Sequence, residues 1–227
     1  MIVAIAAEQR EFRGFLKQAS SYRRLSLALQ YAASCTLNGR EWLLAAHGAG
    51  PRLAAVAAET AINAGNPEAV VSTGLCGGLS ESLKVGDVFV ATDVMGAACQ
   101  VPAASGSFAT GRLWSADRVA VSIEEKAELA RDGYDAVDME AAAVAEAAER
   151  HQLPFFCIRA VSDARQETLP LDFNKYRDAE GRFRLASITG AVLLRPWRIP
   201  GLVRMARQAR LASDILGDFI AHCSLPS

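Results

Sequence analysis

Apolar residues in this chain fall into short runs, most of which end at a polar residue or a glycine-rich turn. Residues 1–7, 41–46, 69–72 and 155–161 form such runs, and each is short enough to be a buried strand rather than a helix. Residues 85–92 alternate apolar with small or polar side chains, which is typical of a half-buried strand. The pattern therefore predicts a sheet of several short strands.

Two helices are predicted between these strands. The first begins at Arg52, with Pro51 in its first turn, and ends at Gly65. The second is rich in alanine and spans about residues 139–151. Residues 96–111, rich in Ala, Ser and Gly, are predicted to form a long loop. Strands that alternate with helices predict a single-domain α/β fold with a mostly parallel sheet flanked by helices.

Composition narrows the possible classes of protein. A chain of 227 residues with 51% hydrophobic and 22% charged residues is long enough for one large soluble domain. The formal net charge of -1 gives no general attraction to nucleic acid, so no nucleic-acid partner is expected. The chain begins without a basic leader and lacks an apolar run of roughly 20 residues, so a cytoplasmic location is expected.

Cysteine and histidine residues form no ligand pattern. The five cysteines are scattered and lack a C-x-x-C pair, which argues against a disulfide framework and a zinc site. The three histidines lie far apart in the sequence, without the spacing of metal ligands. No metal site is therefore expected.

Several polar residues and glycines follow predicted strands. Ligands of parallel α/β sheets bind at the carboxyl ends of the strands, so these positions are expected to converge. Backbone N–H groups of glycine-rich turns could hold an anion or a sugar hydroxyl there. The candidates on these grounds are Glu8, His47 in the turn 47–51, Thr73, Gly74, Cys76 and Gly77 in the turn 73–78, and Ser162 with Asp163.

Two of the acidic candidates lie in settings that suit catalysis. Asp163 follows Ser162 at the end of the run 155–161, where a carboxyl group could act as a general acid or simply cap the next segment. Glu140 lies at the start of the alanine-rich helix and could either complement the helix dipole or accept hydrogen bonds from sugar hydroxyls. Met139 beside it could pack on the sugar, although a methionine more often belongs to the core.

A third acid follows the first strand. Glu8 could activate an attacking water molecule, or it could be a solvated residue after the strand. Glu11, three residues later, competes for the same role and ranks second.

Three motifs resemble one family. Residues 72–79 (STGLCGGL), followed by 83–88 (LKVGDV), resemble a turn and strand of the nucleoside phosphorylase family, most closely of its methylthioadenosine/S-adenosylhomocysteine nucleosidase branch. Residues 137–141 (VDMEA) resemble its ribose-binding motif, and residues 158–163 (IRAVSD) resemble the strand that bears its catalytic aspartate. The order and spacing of these motifs, within residues 1–175, identify the chain as a member of that family.

The resemblance implies that the chain cleaves the N-glycosidic bond of a purine nucleoside. It implies Asp163 as general acid at purine N7, Glu140 and Met139 at the ribose, and Glu8 at the water-activating position. Val119 lies where the family has a base-binding aromatic residue, so recognition of the base is expected to differ. The family fold has a mixed central sheet, assembles as homo-oligomers and uses no cofactor.

The nucleophile predicted from the resemblance is water rather than phosphate. Phosphorylases of the family hold phosphate with an arginine just before the glycine turn and a serine or threonine inside it. Those positions are Ser72 and Leu75 here, so a dianion would be poorly neutralised. His47 and Arg52 could partly replace that charge, which keeps phosphate open as a co-substrate.

The C-terminal segment departs from the methylthioadenosine nucleosidases. Residues 195–201 (RPWRIPG) lead into a helix that carries Arg204, Arg207 and Arg210 between apolar residues. A basic amphipathic helix close to Trp197 is typical of a membrane-surface segment. The alternative is a final helix that packs on its own domain with a solvated arginine face.

This ending and the short loop at Val119 resemble the hopanoid-associated branch of the family. That resemblance implies release of adenine from a lipid-linked adenosine, adenosylhopane, with peripheral contact at the inner membrane. The expected division is a catalytic domain at 1–194 and a basic helical extension at 195–227. The alternatives are a soluble methylthioadenosine/S-adenosylhomocysteine nucleosidase or purine nucleoside phosphorylase acting on a small molecule, and a non-catalytic nucleoside-binding protein. Asp163 and Glu140 argue against the last.

Overall fold

A computed structural model describes residues 1–178 and 182–225 of the chain. Its strands are β1 (Ile2–Ala6), β2 (Ser20–Arg24), β3 (Tyr31–Leu37), β4 (Arg40–Ala46), β5 (Ala69–Gly78), β6 (Val88–Val94), β7 (Ala97–Ala98), β8 (Ala103–Ala104), β9 (Ala109–Ser115), β10 (Ala136–Asp138), β11 (Phe155–Asp163) and β12 (Cys223–Ser224). Its α-helices are α1 (Arg13–Gln18), α2 (Pro51–Gly65), α3 (Ile123–Arg131), α4 (Ala141–Arg150), α5 (Leu185–Leu193) and α6 (Ile199–His222). Short 3-10 helices lie at Gln9–Phe12, Phe173–Tyr176 and Pro196–Arg198.

The central sheet has the strand order β10-β9-β6-β11-β5-β1-β4-β3-β2, and β7 pairs with β6 at its side. Strands β4, β1, β5 and β11 run parallel, whereas β3 pairs antiparallel with β4 and β6 pairs antiparallel with β11. Strand β10 is parallel to β9 and also pairs antiparallel with the end of β5. The predicted α/β fold with a mixed, mostly parallel sheet is confirmed.

Helices cover both faces of the sheet, which explains the continuous apolar runs of its central strands. Val3 and Ile5 of β1 pack in one core cluster with α2 and α4. Ile2 and Ala4, which point the other way, pack in a second cluster with α1 and α6. Alternate residues of one strand therefore serve two cores, and no position of β1 faces water.

The prediction of turns and loops was wrong in two places. The glycine-rich segment 73–78 is the end of strand β5 rather than a turn, because it pairs with both β11 and β10. The predicted loop at 96–111 contains β7, β8 and the first residues of β9. Small residues there pair with neighbouring strands, as Ala104 does with Cys223, so tertiary pairing rather than local composition decides their structure.

The two predicted helices are confirmed, with one shift that matters for the site. Helix α2 spans Pro51–Gly65, as the proline and the glycine predict. Helix α4 begins at Ala141, two residues later than expected, because strand β10 continues to Asp138. The Asp138 carboxylate accepts a hydrogen bond from the Ala141 N–H at 2.9 Å and so holds the start of the helix.

The C-terminal helix α6 has two different halves. In its first half, Arg204, Arg207 and Arg210 are exposed. In its second half, one side of the helix is buried against the core, and Gly217 packs directly against the backbone of Gly14 and Phe15. The second half therefore belongs to the main fold, and the boundary after residue 194 stays a prediction. No helix among the described residues is long and apolar enough to cross a bilayer.

Candidate active site

The ends of strands β1, β5 and β11 open into a cavity of about 190 Å³, which adjoins a larger one of about 1170 Å³. The predicted site residues that line the smaller cavity are Glu8, Cys76, Gly77, Val119, Met139, Glu140, Ser162 and Asp163. Thr73, Gly74 and His47 are not among its lining residues. The structure thus brings most of the predicted residues to one place.

Asp163 ends β11 and presents its carboxyl group to both cavities. Its Oδ1 atom accepts a hydrogen bond from the Ser162 hydroxyl at 2.8 Å. The same hydroxyl lies 3.2 Å from the Cys76 carbonyl oxygen. On the other side, Asp163 Oδ2 accepts a hydrogen bond from the ammonium group of Lys126 at 2.5 Å. Sequence reasoning did not find Lys126.

Glu140 lies at the junction of β10 and α4, with its carboxyl group buried. Its Oε1 atom accepts a hydrogen bond from the Gly50 N–H at 2.8 Å. Burial, with repulsion from the Asp138 carboxylate, raises the pKa of Glu140 to about 7. A carboxyl group that titrates near neutral pH can either accept or donate a hydrogen bond to a sugar hydroxyl.

Arg159 lies at the base of this cluster and was also missed. It is almost completely buried, donates a hydrogen bond to the Ser72 hydroxyl at 2.7 Å and forms an ion pair with Asp138. A signal was available in the sequence, since Arg159 interrupts an otherwise apolar strand. An arginine in such a strand requires a buried partner. Its charge offsets part of the repulsion between the nearby carboxyl groups.

Glu11 lies deeper than Glu8. The 3-10 helix Gln9–Phe12 turns Glu11 inward, where its Oε2 atom accepts a hydrogen bond from the Ala7 N–H at 3.3 Å. Burial, with repulsion from Glu140, raises the pKa of Glu11 to about 8. Glu8 instead forms an ion pair at 2.8 Å with the exposed Arg10. The geometry therefore favours Glu11 over Glu8 for the water-activating position.

The remaining predicted residues differ in their surroundings. His47 Nδ1 accepts a hydrogen bond from the Gln30 N–H at 3.2 Å, and burial together with Arg182 lowers the pKa of His47. The backbone N–H and C=O of Val119 are both bonded to the Asn174 carboxamide, each at 2.9 Å. The Thr73 hydroxyl is buried and, within the described residues, has no hydrogen-bond partner.

Two observations bear on phosphate and on metals. The Ser72 hydroxyl is already bonded to Arg159, and Leu75 contributes an apolar side chain to the cavity wall. Within residues 1–178 and 182–225, no group of three or more His, Cys, Asp or Glu side chains could hold a metal ion.

The phosphorylase superfamily model matches residues 2–106 and 97–194. The chain belongs to the phosphorylase superfamily. The 5'-methylthioadenosine/S-adenosylhomocysteine nucleosidase of Psychromonas ingrahamii is 30% identical over 180 residues, which cover 62% of this chain and 75% of that protein. A Bacillus cereus protein of the same name is 28% identical over 219 residues, covering 78% of this chain and 90% of that protein.

Solved structures of nucleosidases and of a futalosine hydrolase have the same fold as this chain. The nucleosidase of Neisseria meningitidis in complex with methylthio-immucillin-A superposes with a TM-score of 0.72 at 24% identity, covering 97% of this chain and 96% of that one. A Borrelia burgdorferi protein described as a putative nucleosidase of this type, bound to adenine, gives 0.73 at 18% identity, with 98% of each chain covered. The futalosine hydrolase of Helicobacter pylori gives 0.71 at 16% identity, covering 96% and 94%.

Proposed function

We propose that this protein hydrolyses the N-glycosidic bond of an adenine nucleoside and releases adenine. The observation that carries the proposal is the meeting of Glu11, Glu140 and Asp163, from three separate segments, at one cavity. Cleavage of such a bond needs a proton donor for the base, a grip on the ribose and an activated nucleophile, and carboxyl groups can serve each need. Relatives named as methylthioadenosine/S-adenosylhomocysteine nucleosidases support adenine as the leaving group.

Each carboxyl group has a distinct role in this proposal. Asp163 donates a proton to N7 of the base as the C1′–N9 bond breaks. Glu140, beside Met139, holds the ribose hydroxyls. Glu11 takes a proton from the water molecule that forms the new bond to C1′. The products are adenine and a ribose with a free anomeric hydroxyl, and Asp163 must be reprotonated before the next cycle.

Water is the proposed nucleophile because the site offers little charge to phosphate. The arginines and lysine at or beside the smaller cavity already pair with carboxylates: Arg159 with Asp138, Lys126 with Asp163, Arg10 with Glu8 and Arg118 with Glu125. The lowered pKa of His47 leaves that side chain neutral near pH 7. Arg52 is exposed in the first turn of α2 and does not line the cavity. A phosphate dianion would therefore meet a site that is rich in carboxyl groups.

A second candidate substrate is an adenosine linked to a hopanoid lipid. The larger cavity, about 1170 Å³, runs from Asp163 past Leu75 to Phe183, Ile188 and Met205. Leu75, Phe183, Ile188 and Met205 form an apolar part of a wall that also contains Arg10, Arg13 and Arg182, and this apolar part suits a long apolar group at the 5′ position. A methylthio group would fill only a small part of that volume.

Exposed apolar residues lie at the end of α5 and in the segment that leads to α6. Leu193, Leu194 and Trp197 are 74%, 80% and 71% exposed. Arg195 and Arg204 lie near them in the chain, and both are exposed. An apolar patch with a basic surround fits an anionic lipid surface, so peripheral contact at the inner membrane belongs to this second candidate. Assembly as a homo-oligomer stays a prediction.

Adenine release from a panel of 5′-substituted adenosines tests both candidates. The panel contains methylthioadenosine, S-adenosylhomocysteine and adenosines with long apolar 5′ chains, each with and without phosphate. Release without phosphate from the first two compounds supports the nucleosidase. A preference for long apolar chains supports the lipid-linked substrate. Ribose 1-phosphate as product would establish a phosphorylase, and binding without turnover would establish a nucleoside-binding protein.

A further inference from the structure

Lys126, in the first turn of α3, is completely buried although it carries a charge. Its Nζ atom donates hydrogen bonds to Asp163 Oδ2 at 2.5 Å, to the Ala164 carbonyl at 2.9 Å and to the Glu167 carbonyl at 3.0 Å. Three acceptors require three N–H donors, which only the protonated amine has. The contacts therefore define an ammonium ion whose three N–H groups all donate to acceptors within the protein.

Helix stability does not explain a lysine at this position. A cation in the first turn of a helix is opposed by the helix dipole, and its burial costs several kcal/mol. The start of α3 is already fixed by a capping box between Ser122 and Glu125. Glu125 Oε2 also accepts a hydrogen bond from the Val121 N–H at 2.7 Å. Lys126 is thus held on a rigid support and aimed at Asp163.

The loop that receives Lys126 is also fixed. Glu167 Oε2 accepts a hydrogen bond from the Ala164 N–H at 3.1 Å, which closes the turn after β11. Gln208 of α6 donates a hydrogen bond to Glu167 Oε1 at 3.0 Å. The two carbonyl groups that share Lys126 with Asp163 therefore have little freedom to move.

The contacts around Asp163 assign its two oxygen atoms different roles. Oδ2 accepts a hydrogen bond from the Lys126 ammonium group, which can only donate. A proton on Oδ2 would therefore point at another donor and repel it. Oδ1 faces the Ser162 hydroxyl, which has one proton and two neighbouring acceptors, Oδ1 and the Cys76 carbonyl. When Asp163 Oδ1 carries a proton, Ser162 can donate to the Cys76 carbonyl instead, and the Oδ1 proton is free to face the cavity.

We propose that Lys126 is a positioning residue that anchors Oδ2 of Asp163, so that Oδ1 carries the proton given to the leaving base. This inference rests on the proposed function. Once the proton has moved to the base, Asp163 is a carboxylate, and the adjacent ammonium group stabilises the charge that has developed. The interaction is stronger in the transition state than in the ground state, which is what accelerates a reaction.

The test compares two leaving groups in the same enzyme. Adenine needs a proton to depart, whereas 4-nitrophenolate of a 4-nitrophenyl riboside departs as a stable anion. Lys126→Met is expected to lower kcat for adenine release by on the order of tenfold to a hundredfold, with KM little changed. Release of 4-nitrophenolate is expected to stay within about twofold, and Asp163→Asn should show the same selectivity.

Controls keep this test decisive. Lys84→Met removes an exposed lysine from the loop before β6 and should leave both substrates unaffected. If Lys126→Met does not fold, Lys126→Gln retains an N–H donor without the charge, and its folding is checked by thermal melting. If a folded variant loses the same fraction of kcat for both leaving groups, Lys126 has only a structural role, and the inference is overturned. Failure of the wild type to release adenine would instead overturn the proposed function.

Discussion

The carboxyl group of Glu11 lies directly against Gly74 and occupies the space that a side chain at position 74 would need. The backbone of Gly74 has a φ of +135°, a conformation that residues with a side chain rarely adopt. A Cβ atom added to Gly74 would also lie 3.0 Å from Arg159 Nη1. Glycine at this point of β5 therefore lets the Glu11 carboxyl group and the Arg159 guanidinium group come close to each other inside the protein.

Gly74→Ala should displace Glu11 and lower adenine release by about tenfold or more, because small errors in the position of a catalytic group are costly. Strain at this φ is expected to reduce stability by about 1–3 kcal/mol. Gly39→Ala is a matched control, since Gly39 also has a positive φ, +73°, but nothing lies within 4 Å of the added carbon. Equal activity losses in the two variants, measured by initial rates, would exclude a specific contact with Glu11.

Glu11→Gln and Glu8→Gln separate the two acids that follow β1. Loss of the buried Glu11 should reduce kcat by about a hundredfold or more, the usual scale for a general base. Loss of Glu8, which pairs with Arg10 at the surface, should change it by less than about threefold. Steady-state kinetics at saturating nucleoside decide between them. The reverse result would restore Glu8 to the water-activating position.

Stability should respond to Glu11→Gln in the opposite direction from activity. The raised pKa of Glu11, about 8 against an ordinary 4.5, means that the folded protein resists ionisation that the unfolded chain accepts. The wild type therefore loses stability as the pH rises from about 4.5 to 8. Glutamine cannot ionise, so the variant should melt at a higher temperature than the wild type near pH 8.5, with the difference shrinking towards pH 5. Parallel melting curves at all pH values would contradict this.

The rate of adenine release should rise with pH through the same window. Glu11 acts as a base only when ionised, and its pKa is about 8. Values of kcat/KM are therefore expected to increase from pH 6 and to level off above about pH 8. Glu8→Gln should retain this profile. A rate that is flat or falls between pH 6 and 8 would remove Glu11 as the base.

The elements that the sequence predicted correctly are those bounded by proline or glycine or formed by a continuous apolar run. Pro51 and Gly65 bound α2, and the continuous apolar run that begins at Phe155 indicates the strand that ends at Asp163. The order of motifs placed Glu140 and Asp163 at one site, and both line the cavity. In these cases one short segment contains the whole physical cause.

Other features depend on partners that are distant in the sequence. Glu8 and Glu11 are the same residue type, and the sequence alone does not show which of them is buried. The 3-10 helix that follows Glu8 turns Glu11 inward. Lys126 belongs to a helix, IEEKAELAR, that resembles a surface helix, and its partner Asp163 lies 37 residues further on. The strands β7 and β9 form because each of them pairs with β6, and this pairing cannot be inferred from their composition.

The basic half of α6 leads to a prediction about membranes. If the substrate is anchored in a bilayer, the protein must bind the surface, and each basic residue near an anionic membrane contributes about 1 kcal/mol. Replacing Arg204, Arg207 and Arg210 by Gln should weaken co-sedimentation with liposomes that contain anionic lipid. Binding by the wild type should fall as salt increases, because the interaction is electrostatic.

A charge-matched variant distinguishes a local surface from overall charge. Replacing the exposed residues Arg23, Lys84 and Arg131 by Gln removes the same number of positive charges elsewhere on the protein and should leave liposome binding unchanged. Cleavage of a small adenosine analogue should persist in both variants, since neither changes a residue that lines the catalytic cavity. If the wild type does not sediment with anionic liposomes at low salt, α6 is a helix packed on its own domain with a solvated arginine face. The nucleosidase that acts on a small 5′-substituted adenosine would then be the better supported of the two candidates.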